Sequence, residues 1–440
     1  MTVFASKADR DAIHGEMPWP DREVPKTIYG LLSETTAKFG DRRAATFQLL
    51  SGPKGRAETL TWTQLHQKVT QAANMFRSLG IGETDVVAFL LPNCHETTIT
   101  LLGAQVAGIV NPINPLLMAD QISAILRETG AKVLVTLKSF PKTDVAQKAA
   151  EAVAHAPNVR TVIEVDLLRY LTPPKSWIVP LIRPKNPARH NARIMGFNAM
   201  LKRQNTTLDF EDVQADRISA FFHTGGTTGM PKVAQHKYSG FVYNAWLGQR
   251  LLFQETDTLI CPLPLFHVFA AVVIVSASLA SGAHVVYPTP QGYRGDGVFD
   301  NFWKLVERWG VTFVITVPTA ISALMQRKVD ADISTLKTAF SGSAPLPVEL
   351  FRRFEKATGV TIVEGYGLTE ATCLVSCNPP EGQKKIGSVG VPFPHTEVRI
   401  LDCDKDGTIR AERGVDEIGE ICVANPGVFV GNTYSDPGKN

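Results

Sequence analysis

The sequence predicts an α/β fold with two doubly wound subdomains, roughly 30–215 and 216–380, followed by a small β-rich subdomain over 381–440. Three observations predict it. From Thr61 onward helical and extended apolar patterns alternate, as a doubly wound sheet requires. Short apolar runs such as 133–135 fit parallel strands covered on both faces. Beyond residue 386 the texture changes to Gly, Pro and short alternating runs with no good helix. A chain of 440 residues also exceeds what one hydrophobic core usually supports, so separate cores are expected.

Taken in order, Leu65, Val69, Ala72, Phe76 and Leu79 recur at helical spacing before Gly80, and the apolar run 86–91 stops at Pro92. The same helix-then-strand unit recurs at 121–129 with 132–136, and at 301–309 with 312–315. The apolar stretch 268–287 holds Ser276, Ser278, Ser281, Gly282 and His284, the last three clustered as in a turn. It reads as a buried helix followed by a strand rather than a membrane span.

Composition bounds the function. Hydrophobic residues at 44% and charged residues at 20% are ordinary globular values, which exclude disordered, collagenous and coiled-coil classes. A net charge of +3 is too small for a protein that coats nucleic acid, so no nucleic-acid partner is expected. Six cysteines form neither a disulfide framework nor paired zinc knuckles, which points to reduced, cytoplasmic thiols. Cys373 and Cys377, four apart, fit one helix face and read as packing residues. The first 25 residues carry charges throughout, so no secretory signal is expected there.

One segment departs from the rest. Between Leu167 and Leu208 there is no acidic residue, but there are eight basic ones, Arg169, Lys175, Arg183, Lys185, Arg189, Arg193, Lys202 and Arg203. With Trp177, Ile178, Val179, Leu181 and Ile182, the segment 167–208 reads as a candidate peripheral membrane contact, set against a solvated connecting loop.

The most informative stretch is 221–232, FFHTGGTTGMPK, behind the extended run 218–222. Gly225, Gly226 and Gly229 lack Cβ and let backbone N–H groups approach an anion. Thr224, Thr227 and Thr228 add hydroxyl donors, and Lys232 adds a mobile positive charge. A Walker A loop would place Ser or Thr after the lysine, where Val233 stands, and the dinucleotide pattern GxGxxG is absent.

The stretch 224–232, TGGTTGMPK, resembles the phosphate loop of the adenylate-forming superfamily, which includes acyl-CoA synthetases, luciferases and peptide-synthetase adenylation domains. Three further motifs follow in that family's order: PLFHVF around His267, SGSAPL at 341–346 and EGYGLTE at 364–370. The stretch 419–434, GEICVANPGVFVGNTY, resembles the strand pair near the end of the family's large N-terminal domain. One departure is Gly225, where many members carry Ser. The resemblance implies two α/β subdomains with a small distorted β-barrel, and a chemistry in which a carboxylate attacks the α-phosphorus of ATP. An acyl adenylate and pyrophosphate form, and a thiol, coenzyme A, then captures the acyl group. Such catalysis is mostly positioning and charge neutralisation.

By the same resemblance Thr227, Thr228 and Lys232 hold the β- and γ-phosphates, Thr369 donates to the α-phosphate, and Glu370 is the Mg²⁺ ligand. Thr369 and Glu370 also read as an ordinary helix start, which itself attracts phosphate. Tyr366, between Gly365 and Gly367 after Glu364, is assigned to adenine stacking, with Ser343, Ala344 and Pro345 as the opposite wall. His267 is placed by the acyl carboxylate, whereas His236, between Gln235 and Lys237, is assigned to an exposed loop. The acyl pocket is expected from the helix after Tyr238, from 317–320 and from 365–368, which are apolar or small and suit a hydrophobic acid.

The family's Thr-Gly-Asp motif and the lid domain with its catalytic lysine do not occur in these residues. The expectation is a large N-terminal domain without its lid, able to bind ATP and acid but slow at adenylation and unable to complete thioester transfer. The sequence thus reads as an ATP-dependent acid-CoA ligase for a hydrophobic fatty acid. The alternatives are an aryl or arylpropanoid acid ligase, a carrier-protein-loading adenylation domain, a nucleotide or acyl binding module without turnover, and a P-loop kinase, which would release ADP rather than AMP.

Overall fold

The computed structural model describes residues 3–185, 188–224, 232–404 and 407–439. Its strands are β1 (Arg43–Gln48), β2 (Ala57–Thr61), β3 (Val86–Leu90), β4 (Ile109–Pro112), β5 (Val133–Leu137), β6 (Thr161–Val165), β7 (Arg193–Gly196), β8 (Ile218–His223), β9 (Val233–Lys237) and β10 (Thr258–Ile260). They continue with β11 (His284–Tyr287), β12 (Phe313–Thr316), β13 (Thr338–Ser341), β14 (Ile362–Leu368), β15 (Cys373–Cys377), β16 (Val391–Pro392), β17 (Glu397–Cys403), β18 (Ile409–Glu412) and β19 (Glu420–Ala424).

Two mixed sheets organise the molecule. A seven-stranded sheet runs β7-β6-β5-β3-β4-β8-β9 and is parallel except for the β8–β9 hairpin. A nine-stranded sheet runs β16-β15-β14-β13-β12-β10-β11-β1-β2, with a parallel centre and antiparallel strands at both edges. The strands do not divide at residue 215. β1 and β2 edge the later sheet, while β8 and β9 complete the earlier one. A boundary drawn along the sequence misses this because strand pairing is non-local. One apolar cluster accordingly runs from Phe4 to Phe393 through both sheets, and a second gathers Ile260 with residues from Phe302 to Ile362.

The helix-then-strand units sit where the periodicity placed them: helix Trp62–Ser78 before β3, Ala119–Glu128 before β5, and Val298–Trp309 before β12. Thr61 and Gln64 cap the first of these reciprocally, each side chain bonding the other's backbone. The stretch 268–287 is a wide-turned π-helix Phe269–Ser276, a helical turn Ala277–Ser281 and strand β11, every residue of these three elements buried. Among the described residues no helix is long and apolar enough to cross a membrane.

Of the expected small barrel, the described residues form a three-stranded antiparallel sheet, β18-β17-β19. Cys373 and Cys377 pack as expected, but on strand β15 rather than on a helix, and both are buried. Alternate residues of a strand share a face, so a spacing of four suits a strand as well as a helix.

Candidate active site

The register of β13 against β14 sets the site. Ser341 pairs with Glu364, so the residues that follow each, Gly342–Ser343 and Gly365–Tyr366, leave the parallel centre at the same level. This is the carboxyl end of the strands, where open α/β sheets build ligand crevices. A cleft of about 620 Å³ opens there, lined by Thr224, Lys232, His267, Ser343, Tyr366 and Glu370 among others.

β8 and β9 form a hairpin whose last pair is His223 with Val233, and the Thr224 N–H donates to the Lys232 carbonyl at 2.9 Å. The glycine-rich loop therefore springs from a closed base, with Thr224 and Lys232 both on the cleft wall. Gly225, Gly226, Thr227, Thr228 and Gly229 lie outside the described residues.

Tyr366 is fixed by its two neighbours. A Cβ on Gly365 would lie 2.2 Å from the Phe340 ring, and one on Gly367 would lie 1.9 Å from the Cys373 carbonyl oxygen. Only glycine fits on either side, and the register slips between Tyr366 and Gly367 in the β14–β15 pair. Burial and then the Glu370 charge push the Tyr366 phenol pKa up. Thr369 and Glu370 open a single 3₁₀ turn, Thr369–Ala371, rather than a helix.

Glu370 Oε1 accepts a 2.6 Å hydrogen bond from the Tyr434 hydroxyl, and Lys232 Nζ stands 4.4 Å from the centre of the Tyr434 ring. Burial, then the bond to Glu370, push the Tyr434 pKa up to about 12. Tyr434 reaches the cleft because residues 433–435 run beside β9: Gln235 N–H donates to the Thr433 carbonyl and Ser435 N–H to the Val233 carbonyl, both at 2.9 Å. Tyr434 belongs to a motif quoted from the sequence, yet no role was assigned to it there. Only the pairing of distant segments reveals it.

His267 exposes its ring to the cleft, while the surrounding protein lowers its pKa by burial. Its Nδ1 lies 3.2 Å from the Phe269 N–H, which donates to it. In the neutral ring the proton then sits on Nε2.

Several sequence expectations need correction. Glu364 does not line the cleft. It is buried, and its Oε1 accepts from the Leu346 N–H at 2.9 Å, so it braces the loop that carries Ser343. Ala344 and Pro345 are exposed beside that loop and stand off the cleft wall, which of the three takes only Ser343, held at φ 67°. His236 is on β9 rather than in an exposed loop. It is buried, its Nδ1 is 3.1 Å from Thr372 Oγ1, and burial pulls its pKa down to about 3. Gln235 and Lys237 flank it on the opposite face of the strand, which made the local sequence look exposed. Of the expected acyl pocket only 365–368 lines the cleft. The helix Tyr238–Leu247 is core, with Tyr238, Phe241 and Tyr243 buried, and 317–320 does not reach the wall. Val268, Phe269, Phe340, Cys373 and Leu374 supply apolar lining instead.

The parallel α/β frame thus gathers Thr224 and Lys232, from the base of the β8–β9 hairpin, with Tyr366 and Glu370 on one cleft at the carboxyl ends of its strands. The chain belongs to the AMP-binding enzyme family, whose pattern matches residues 32–432. Among its relatives, a marinolic acid–CoA ligase from Pseudoalteromonas sp. is 34% identical over 427 residues, covering 94% of this chain and 61% of the relative. A long-chain-fatty-acid–CoA ligase from Bacillus subtilis is 29% identical over 431 residues, 94% of this chain and 71% of the relative. The chain thus spans about three fifths of the length of the first. Among solved structures, a long-chain-fatty-acid-CoA ligase from Archaeoglobus fulgidus superposes with a TM-score of 0.78 at 21% identity, over 96% of this chain and 79% of that one. The inhibitor-bound N-terminal domain of FACL13 from Mycobacterium tuberculosis superposes at 0.72 and 22% identity, over 94% of this chain and 92% of that one. These likenesses fix the fold.

Proposed function

We propose that the chain is the nucleotide- and acid-binding part of an ATP-dependent carboxylic acid:CoA ligase acting on a hydrophobic fatty acid. The observation that carries the reading is the convergence of Thr224, Lys232, His267, Ser343, Tyr366, Thr369 and Glu370, from well-separated segments, on one cleft. The relatives named as acid–CoA ligases support the same chemistry.

In this reading a carboxylate oxygen forms a bond to the α-phosphorus of ATP while the bond to pyrophosphate breaks. A thiol then displaces AMP from the acyl carbon and loses its proton. Lys232, with Thr227 and Thr228 of the loop, holds the departing phosphates, and Thr369 donates to the α-phosphate. The Tyr366 ring stacks on adenine against the Ser343 loop, with Gly225, Gly226 and Gly229 bringing backbone N–H groups to the phosphates. His267, neutral with its proton on Nε2, donates to the acid's carboxylate. The apolar wall of Val268, Phe269, Phe340 and Leu374 suits an alkyl chain.

Glu370 is the ligand proposed for Mg²⁺, which would neutralise phosphate charge when bound. Among the described residues no cluster of three or more His, Cys, Asp or Glu could hold a metal ion. A lone carboxylate fits an ion that takes its other ligands from phosphate oxygens and water. A cytoplasmic location belongs with this reading, because ATP and CoA are its co-substrates.

The test is product identity across a panel of fatty acids of graded chain length and aromatic acids. Acid-dependent release of AMP and pyrophosphate, with an acyl adenylate detected by mass, is expected. ADP as product, or consumption of ATP that ignores the acid, would refute the proposal.

A further inference from the structure

The basic, acid-free segment between Leu167 and Leu208 is not a loose loop. Arg169 Nη2 pairs with Glu58 at 2.8 Å and its Nη1 with buried Glu96 at 2.9 Å, while the Tyr170 hydroxyl donates to the other Glu96 oxygen at 2.8 Å. Arg183 binds Asp166 at 2.8 Å and the Ser139 carbonyl, and Gln147 Nε2 donates to the Lys185 carbonyl at 3.2 Å. Two of the eight basic residues are therefore spent on anchorage. The other six, Lys175, Lys185, Arg189, Arg193, Lys202 and Arg203, are exposed.

Between these anchors the turns Lys175–Ile178 and Val179–Leu181 bury Val179 and turn four large apolar side chains outward. Trp177 is 70% exposed, Ile178 48%, Leu181 85% and Ile182 56%. Contiguous exposure of this kind marks a binding surface. Other apolar residues protrude as far, Val415 and Ile418 among them, but they stand among Glu412, Asp416, Glu417 and Glu420. The 175–185 face instead joins four apolar protrusions to positive charge, with exposed Lys175 at its start and exposed Lys185 at its end.

We propose that this face docks on an anionic lipid surface, Trp177, Ile178, Leu181 and Ile182 entering the interface while Lys175, Lys185 and Arg189 meet the head groups. Trp and aliphatic side chains partition into the interfacial zone, and cations beside them are attracted to anionic lipid. The inference does not depend on the ligase reading, since no residue of the cleft takes part.

The experiment is cosedimentation of the chain with vesicles of phosphatidylcholine alone and of phosphatidylcholine with phosphatidylglycerol. Binding is expected only to the anionic vesicles and should weaken with salt. Lys175→Gln with Lys185→Gln should lower partitioning roughly twenty-five-fold, about fivefold per cation. Trp177→Ser with Leu181→Ser should lower it while keeping the salt dependence. A matched pair on the helix Val348–Thr358, Arg352→Gln with Lys356→Gln, both exposed, should leave it unchanged. All substitutions are at exposed positions, and unchanged denaturant midpoints check the fold. Equal binding to both vesicle types, no binding to either, or patch variants indistinguishable from the parent would overturn the proposal. So would a patch-dependent dimer in sedimentation velocity without lipid, which would make a second copy the occupant.

Discussion

Replacing Tyr434 by Phe separates two roles that one side chain holds. The hydroxyl reaches Glu370 Oε1 at 2.6 Å, while the ring faces Lys232 Nζ at 4.4 Å. Phe keeps the ring and removes only the hydroxyl. A hydrogen bond to a carboxylate is worth about 1.5–3 kcal/mol. The pair is only half-buried, so screening leaves roughly 1 kcal/mol for stability. The larger effect should fall on the metal. Removing a partner that orients a metal ligand typically weakens metal affinity about tenfold or more. With Tyr434→Phe, the Mg²⁺ concentration that half-saturates its effect on ATP binding should rise about tenfold. Metal-free nucleotide binding should stay as in the parent. Tyr434→Ala also takes the ring from Lys232 and should weaken metal-free binding by a further two- to fivefold, the worth of roughly 0.5–1 kcal/mol of cation–π contact. Calorimetric titration of ATP with and without Mg²⁺ reads both. An unchanged Mg²⁺ requirement in the Phe variant, or identical behaviour of Phe and Ala, would refute the division of roles.

Other outcomes follow from the same geometry. Gly367→Ala puts a Cβ 1.9 Å from the Cys373 carbonyl oxygen and should destabilise the fold by about 3 kcal/mol, read as a lowered denaturant midpoint. Lys232→Met should weaken ATP binding about thirtyfold, roughly 2 kcal/mol of lost charge-assisted contact, while stability should fall by no more than about 1 kcal/mol, because the side chain is exposed apart from its contact with the Tyr434 ring. His236 titrates near 3 when folded and at its ordinary 6.5 when unfolded, so the unfolded state takes up a proton that the folded state refuses. Its contribution is complete above 6.5 and is lost as pH falls through that window, at about 1.4 kcal/mol per pH unit. His236→Gln should flatten the stability profile between pH 6 and pH 4 by that slope; an unaltered slope would exclude His236 as its source.

The sequence spoke most clearly where function sits in consecutive residues. The strand behind the glycine loop, the lysine at its far end and Tyr366 between two glycines are all local patterns; the strand is β8, and Lys232 and Tyr366 line one cleft. Partnerships across the chain were silent. Tyr434 reaches Glu370 from 64 positions away, and no periodicity announces it. Glu364 looked like a ligand because it opens a binding motif, yet it is buried, with its Oε1 taken by the Leu346 amide. His236 looked exposed because strand alternation set polar neighbours beside a buried ring. The acyl wall was misplaced for a related reason. Apolar character marks the helix Tyr238–Leu247, but it cannot distinguish a residue that faces a ligand from one that faces the core.

The exchange of strands between the sheets also decides how the molecule behaves when cut. A nick near residue 216 would leave an N-terminal piece carrying β1 and β2, the detached border of its companion's sheet, while the C-terminal piece would carry off the β8–β9 hairpin. Each fragment would expose raw strand edges that only the other can cover. Neither should be autonomous, and mixing the two should regenerate nucleotide binding, which makes this backbone a natural scaffold for a split reporter.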